Sequence, residues 1–420
     1  MPPPIYMATV SAPTNIAVIK YWGKANVALN TPINSSVSVT LDQADLRAVT
    51  TTAASTQFQQ HRLWLNGVEE PDPYNNNRRF RACVDQVLAL ATTCTKVDTC
   101  TNESVAVSKQ EWINMKIHVS SYNTFPTAAG LASSAAGYAA LVAALSELCQ
   151  ASEVFTGQLT TVARQGSGSA CRSLAGGFVA WRAGTPPAWL DSKAEQITSE
   201  HHWPEMRALI LVVSDEKKDT SSTAGMSTSV ATSRLLQHRA ESVVPERMQQ
   251  MEAAWRTKDF VAFASLTMQD SNQFHAVCLD TYPPIFYMND VSRSVIRLIT
   301  AYNAWAGIEQ VAYTFDAGPN AVLYVLEQHL VEVAALVMHY YPAPVDRIAD
   351  YFNRPALAAD IAAFCLDPAL LQACDKTGRQ AVAGDVKQVY CTRAGPGPQV
   401  LDAAESNLDP ATGLNTYLAK

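Results

Sequence analysis

Charge is scarce in this chain. Only 16% of its 420 residues are Asp, Glu, Lys or Arg, against about 25% in an ordinary soluble domain. The 31 basic and 38 acidic residues leave a net charge of −7. That balance excludes a whole-surface nucleic-acid binder, which needs a basic face to neutralise phosphates, but it permits a small anion in a local basic pocket. Long apolar runs are missing too: none reaches the ~18 residues of a membrane span. The opening MPPPIYMATVSAPTN lacks the basic and apolar regions of a secretory signal. The closing TYLAK carries neither an SKL nor a KDEL address. A cytoplasmic protein without membrane or nucleic-acid partners is expected. Nine cysteines, at 83, 94, 100, 149, 171, 278, 365, 374 and 391, include no C-x-x-C pair. Free and mostly buried thiols are expected rather than a zinc or redox site. H-E-x-x-H, G-x-S-x-G, Walker A and G-x-G-x-x-G motifs are all lacking.

What is present is apolar. At 48% hydrophobic the chain can bury a sizeable core, and its length suits two to three domains or two large lobes around one cleft. Residues 8–20 and 35–41 read as strands. Residues 45–66 read as a hairpin with Thr-rich and aromatic arms closing at Asn66-Gly67. Residues 78–91 fit an amphipathic helix and 112–120 an alternating strand. A small-residue stretch from Pro126 runs into a long helix, followed by a helix at 157–165 and a strand at 177–182. The Pro-rich segment 184–204 marks a lobe boundary. Beyond it, 207–214 reads as a buried strand, and 224–240, 245–257, 259–274 and 290–305 as helices. Residues 310–315 and 320–326 read as strands around Asp316-Ala317-Gly318-Pro319, and 327–341 as helix. The polar end, from 400 onward, is expected to fray. Meandering strands mixed with helices indicate α+β architecture rather than a doubly wound sheet.

Five segments can carry chemistry. Pro126-Thr127-Ala128-Ala129-Gly130-Leu131-Ala132-Ser133-Ser134 follows a strand and opens a helix, a junction whose free N–H groups and helix dipole suit a phosphate. Taken alone, an Ala-rich packing helix explains it equally well. Gln165-Gly166-Ser167-Gly168-Ser169-Ala170-Cys171-Arg172 ends a Gly/Ser loop in a guanidinium suited to an anion; a surface turn is the commoner origin of such a loop. Ser214 to Thr223, with Lys217 and Lys218, follows a buried strand, where loops often carry sites. Asp316 follows an apolar strand as a base would, although a turn-forming Asp reads the same. Lys20 and Lys24 straddle aromatics at the end of the first strand.

Together, NIAVIKYWGK (15–24), INSSVSVTLD (33–42), FPTAAGLASSAAG (125–137), RQGSGSACRSLAGGF (164–178), VVSDEKKDTSSTAGM (212–226), YTFDAGPNA (313–321) and RAGPGPQVLD (393–402) resemble the mevalonate diphosphate decarboxylases. These form a branch of the superfamily of galactokinase, homoserine kinase, mevalonate kinase and phosphomevalonate kinase. The resemblance runs from about residue 8 to 405. It implies a two-lobed fold with a deep cleft: a ribosomal-S5-like lobe over 8–200, a ferredoxin-like lobe over 201–405 and a flexible tail at 406–420. It also implies ATP-dependent phosphorylation of the 3-hydroxyl of mevalonate 5-diphosphate, followed by loss of phosphate and carbon dioxide to give isopentenyl diphosphate. A kinase that stops after phosphorylation and a non-catalytic ligand binder are the alternatives.

By the same resemblance Asp316, Lys20 and Arg172 are catalytic. Tyr21, Lys24, Ser167, Gly168, Ser169, Arg172 and Met226 form the substrate pocket. Ala128, Ala129, Gly130, Leu131, Ala132, Ser133, Ser134 and Ser222 hold the nucleotide, and Ser35 and Ser36 line another polar edge. ATP brings magnesium, held mainly by phosphates and few protein ligands, and a homodimer is implied. Two stretches depart from the pattern. Ala25-Asn26-Val27-Ala28-Leu29 stands where many members carry a charged run, and Thr223-Ala224-Gly225 where some bacterial members place an Arg.

Overall fold

A computed structural model describes residues 3–125, 133–214 and 219–418. It is α+β, with three main sheets. The first is six-stranded, in the order Gln399–Val400, Tyr6–Pro13, Arg47–Ser55, Lys116–Asn123, Arg62–Leu65 and Val68–Glu69. The Ser133–Cys149 helix covers one face of it. Ala136, Ala139 and Ala140 on that helix meet Ala8, Ala12, Ala48 and Ala54 on the strands, and small side chains on both surfaces let helix and sheet approach closely. The second sheet runs Ala194–Thr198, Phe178–Trp181, Ser36–Thr40 and Asn15–Ile19. The third runs Val311–Phe315, Ala321–Leu326, Met206–Val212 and Gln388–Arg393. The Phe260–Asp280 and Val244–Thr257 helices fill the space between the second and third sheets with Trp255, Phe260 and Phe263.

Several elements differ from the sequence reading. The Thr-rich strand Arg47–Ser55 does not pair with Arg62–Leu65, because Lys116–Asn123 lies between them. Asn66-Gly67, both at positive φ, instead turns Arg62–Leu65 back onto Val68–Glu69. Local alternation cannot report a partner more than fifty residues away. Residues 112–114 are helical: Ser108 and Glu111 form a capping box that starts the Lys109–Asn114 helix, so the strand begins only at Lys116. The segment 184–204 is not all linker, since Ala194–Thr198 adds an edge to the second sheet. The expected helix at 224–240 breaks at Ser233. It resumes as Arg234–His238 and then loosens into a π-helical turn, Arg239–Val243.

The chain's end is no loose tail. Leu408 is buried, the Asn407 N–H donates to Thr51 Oγ1 at 2.9 Å, and Ser120 Oγ meets Asn415 Oδ1 at 2.7 Å. The rings of Tyr122 and Tyr417 stack at 4.2 Å. Polar residues on the outer face of the first sheet supply these partners, and nothing in the segment's own polarity signals them. All nine cysteines are free and seven are buried, as expected. No single helix among the described residues is long and apolar enough to cross a membrane.

Candidate active site

A cleft of about 440 Å³ opens where the first two sheets meet the third, within the usual range for small-molecule sites. Twelve of the residues named from the sequence line it: Lys20, Tyr21, Lys24, Ser133, Ser134, Ser167, Gly168, Ser169, Arg172, Ser222, Met226 and Asp316. Ala128, Ala129, Gly130, Leu131 and Ala132 lie outside the described residues, as do Lys217 and Lys218.

Lys20 ends the Asn15–Ile19 strand, and Asp316 begins the turn between Val311–Phe315 and Ala321–Leu326. Though 296 residues apart, they meet with Lys20 Nζ 2.5 Å from Asp316 Oδ1. The Lys20 side chain is 3% exposed and that of Asp316 36%. The ammonium is therefore desolvated while the carboxylate faces the cleft. Asn320 ties the turn to the neighbouring strand, accepting from the N–H groups of Val213 and Ser214 at 2.7 and 2.9 Å.

Arg172 sits in the short 3-10 helix Gly168–Leu174 and is 2% exposed. Its guanidinium donates to Asn15 Oδ1 (3.2 Å), Ser38 Oγ (2.9 Å), Ser36 Oγ (2.6 Å) and Ser169 Oγ (3.0 Å). All four acceptors are neutral, and burial pulls its pKa below the ordinary guanidinium value. The site thus holds a desolvated cation on a neutral polar frame, as a receptor for an anion would. Of the predicted serine pair, Ser36 serves this frame. Ser35 turns away, accepting from the Ala183 N–H in a neighbouring pocket. A Cβ on Gly168 would stand 2.9 Å from the Tyr21 ring and 3.0 Å from Trp181, which explains a glycine between the two serines. Tyr21 packs on Trp181 at 4.7 Å, and its buried hydroxyl has no hydrogen-bond partner among the described residues. Burial raises its pKa, so the phenol is neutral and available to donate. Ser134 and Ser167, one from the long helix and one from the Gly/Ser loop, face each other at 3.1 Å between their hydroxyl oxygens.

Lys24 is half-buried. Burial first and the nearby Arg79 second lower its pKa to about 8. Met226 packs beneath the cleft with Trp22, Ile285 and Tyr287. Within the departure Thr223-Ala224-Gly225, a Cβ on Gly225 would stand 2.5 Å from Tyr287 Oη, so a larger side chain at 225 would have to displace that ring. Sequence reasoning missed Asn15, Ser38, Arg79, Asp270, Arg239 and His275. Asn15 and Ser38 lie inside quoted motifs, so their adjacency to Arg172 was the missing knowledge. Arg79 donates to Thr223 Oγ1 at 3.4 Å across the cleft mouth. The other three sit in helices without any local signature.

Two family models cover most of the chain. A diphosphomevalonate decarboxylase-like N-terminal domain matches residues 12–194, and a mevalonate 5-diphosphate decarboxylase C-terminal domain matches 208–401. The diphosphomevalonate decarboxylase of Rattus norvegicus is 50% identical over 97% of this chain and 96% of its own length. That of Homo sapiens is 47% identical over 98% of each. Among solved structures, mevalonate diphosphate decarboxylase from Trypanosoma brucei superposes with a TM-score of 0.85 at 34% identity, covering 96% of this chain and all of the other. The structure of MDDEF in complex with MVAPP, AMPPCP and magnesium gives 0.70 at 27% identity, covering 95% of this chain and all of the other.

Proposed function

The chain belongs to the diphosphomevalonate decarboxylase family, and we propose how its cleft carries out that family's reaction. The fold is GHMP-kinase-like. The enzyme converts mevalonate 5-diphosphate and ATP into isopentenyl diphosphate, ADP, phosphate and carbon dioxide by way of phosphorylation at the 3-hydroxyl. A tertiary hydroxyl is a poor leaving group and its phosphate a good one. When that phosphate departs, C3 becomes electron-deficient and draws the electron pair of the C–COO⁻ bond, releasing carbon dioxide.

In this reading Asp316 orients the 3-hydroxyl and receives its proton as the phosphoryl group arrives. A carboxylate is a weak base toward an alcohol, so positioning is the larger part of its contribution. Lys20 offsets the charge that gathers on the transferring phosphoryl group. Arg172, Tyr21, Lys24, Ser167 and Ser169 hold the substrate's diphosphate and carboxylate. Ser133, Ser134 and Ser222 meet the nucleotide phosphates, together with the loop 128–132. The single observation that carries this assignment is the 2.5 Å contact of Lys20 with Asp316, in a cleft also lined by Arg172 and Lys24. Among the described residues no three His, Cys, Asp or Glu side chains gather into a metal site. Ser133, Ser134 and Asp316 all line the cleft and are hard oxygen donors of the kind that would hold a magnesium ion carried mainly by phosphates. Bound there, the ion would offset the triphosphate's charge. Cytoplasmic location is likewise proposed, on the sequence reading, and homodimer formation on the family resemblance; subcellular fractionation and mass by light scattering test them.

The assay that tests the reaction follows ADP and carbon dioxide together, with ATP and mevalonate 5-diphosphate supplied. Equal yields are expected. ADP without carbon dioxide would mark a kinase, and neither product a binding protein.

The role of Lys24 has its own test. With a pKa of about 8 in the free enzyme, its cation is present below that pH and lost above it. kcat/KM reports free-enzyme ionisations. It should therefore fall from pH 7.5 to 9.5 through a rise in substrate KM, and that limb should be absent in Lys24→Met. A flat wild-type profile, or the same limb in the variant, removes Lys24 from the anion pocket.

A further inference from the structure

Lys20 and Asp316 come from different sheets, and a carboxylate and an ammonium on flexible side chains need some external reference to keep one geometry. The Phe260–Asp280 helix supplies candidates. Asp270, fully buried, accepts the N–H of Lys20 at 2.7 Å. Its neighbour Ser271, 1% exposed, accepts the N–H of Phe315 at 3.0 Å; Phe315 immediately precedes Asp316. One turn further lies His275, 4% exposed; burial, and secondly the Lys20 cation, lower its pKa to about 4, so the ring is neutral. Positions 270, 271, 274 and 275 share one helical face, and Phe274 from that face lines the cleft.

A second arm completes the hold on Lys20. The π-helical turn Arg239–Val243 aims Arg239 inward, where it is 0% exposed. Its guanidinium grips both oxygens of Asp270 at 2.8 Å and donates to the Lys20 carbonyl at 3.0 Å. Arg247 reaches Asp270 Oδ1 at 3.0 Å, and Gln273 Oε1 accepts from both arginines. Burial alone would raise the pKa of Asp270, but the two arginines and the Lys20 N–H hold it below the usual range. Both backbone groups of Lys20 are thus held by one buried ion pair, while the adjacent serine holds the peptide that leads into Asp316. Buried ion pairs are poor stabilisers because desolvation offsets their attraction, whereas their fixed direction suits a positioning task.

We infer that Asp270, Ser271 and Arg239 are positioning residues for the reaction: one turn of the Phe260–Asp280 helix sets the register between Lys20 and Asp316 before substrate arrives. The inference rests on the assignment of those two residues above. A misplacement of about 1 Å in a reacting constellation costs roughly 10²-fold in rate, so removing one of several holds should cost less.

The test measures Ser271→Ala and Asp270→Asn beside Asp316→Asn, with kcat expressed per nucleotide-binding site so that misfolded protein does not count. Ser271→Ala removes a single acceptor. It should lower kcat about ten-fold while KM for both substrates stays within about two-fold, with a modest fall in melting temperature because the buried Phe315 N–H loses its acceptor. Asp270→Asn should show the same split with a larger loss of kcat; if it fails to fold, Ser271→Ala still decides. An unchanged kcat in Ser271→Ala overturns the inference, and so does a KM that rises in step with the loss of kcat. If Asp316→Asn is crippled and Ser271→Ala is not, only the positioning role falls. Near-normal turnover in Asp316→Asn would instead remove the assignment of the reacting pair.

Discussion

Asp316→Asn is expected to bind ATP and mevalonate 5-diphosphate within a few-fold of the wild-type enzyme and to turn over on the order of 10³-fold more slowly. The amide has the carboxylate's shape and keeps an acceptor oxygen, so the 36% exposed side chain leaves the cleft's outline intact. What it loses is the charge. Lys20 Nζ, now 2.5 Å from a carboxylate oxygen, would face a neutral group while its side chain remains 3% exposed. A buried ammonium without its anion either turns away or gives up its proton. Both the orienting acceptor and the cation that offsets phosphoryl charge would then be impaired by one substitution, which is why the effect should appear in kcat and not in KM. Steady-state kinetics together with equilibrium nucleotide binding decides the matter. Turnover near wild type would remove Asp316 from the chemistry.

Arg172→Ala should lower kcat/KM for mevalonate 5-diphosphate on the order of 10²-fold, leaving the KM for ATP nearly unchanged. The guanidinium is already stripped of water and held by Asn15, Ser36, Ser38 and Ser169. The cost of desolvating the cation is thus met by the fold before an anion arrives, and the charge-assisted bond it then makes is stronger than one made in water. Removing it also leaves those buried oxygens without their donor, at about 1–3 kcal/mol of stability. A thermal shift and a rate loss should therefore accompany each other. Arg172→Lys should restore little, because one ammonium cannot span four acceptors set around a planar fork. Unchanged kcat and KM in Arg172→Ala would mean that the substrate pocket lies elsewhere.

The legibility of the site differed sharply from residue to residue. Lys20, Arg172 and Asp316 were legible only because their segments, taken together, resemble one family; each segment alone has an equally good or commoner structural origin. Asp270 was not. It lies mid-helix in Met268-Gln269-Asp270-Ser271-Asn272, where an acidic residue ordinarily faces solvent, and only the packing of that helix against the Asn15–Ile19 strand turns it inward. Arg239 was missed for a related reason: a π-helical turn changes which way a side chain points without changing the local pattern of residues. The fold shows the same division. The hairpin around Asp316 was readable because its two strands adjoin in sequence. The pairing of Arg47–Ser55 with Lys116–Asn123, and the return of residues 399–418 to the first sheet, depend on partners far away along the chain.

The opening scarcity of charge acquires a structural meaning here. The sequence by itself determined that the chain is α+β, which segments could carry chemistry, and that Lys20, Lys24, Arg172, Lys217 and Lys218 fall within them, because residue type and short-range spacing are properties of the chain alone. Only the tertiary structure decided that Lys20 pairs with Asp316, that Arg172 waits on neutral oxygens rather than a carboxylate, and that a buried Arg239–Asp270 pair holds the backbone of Lys20. Such facts concern distance and desolvation. A side chain's charge becomes strong or weak according to what surrounds it, and its surroundings are assembled from residues up to 296 positions apart.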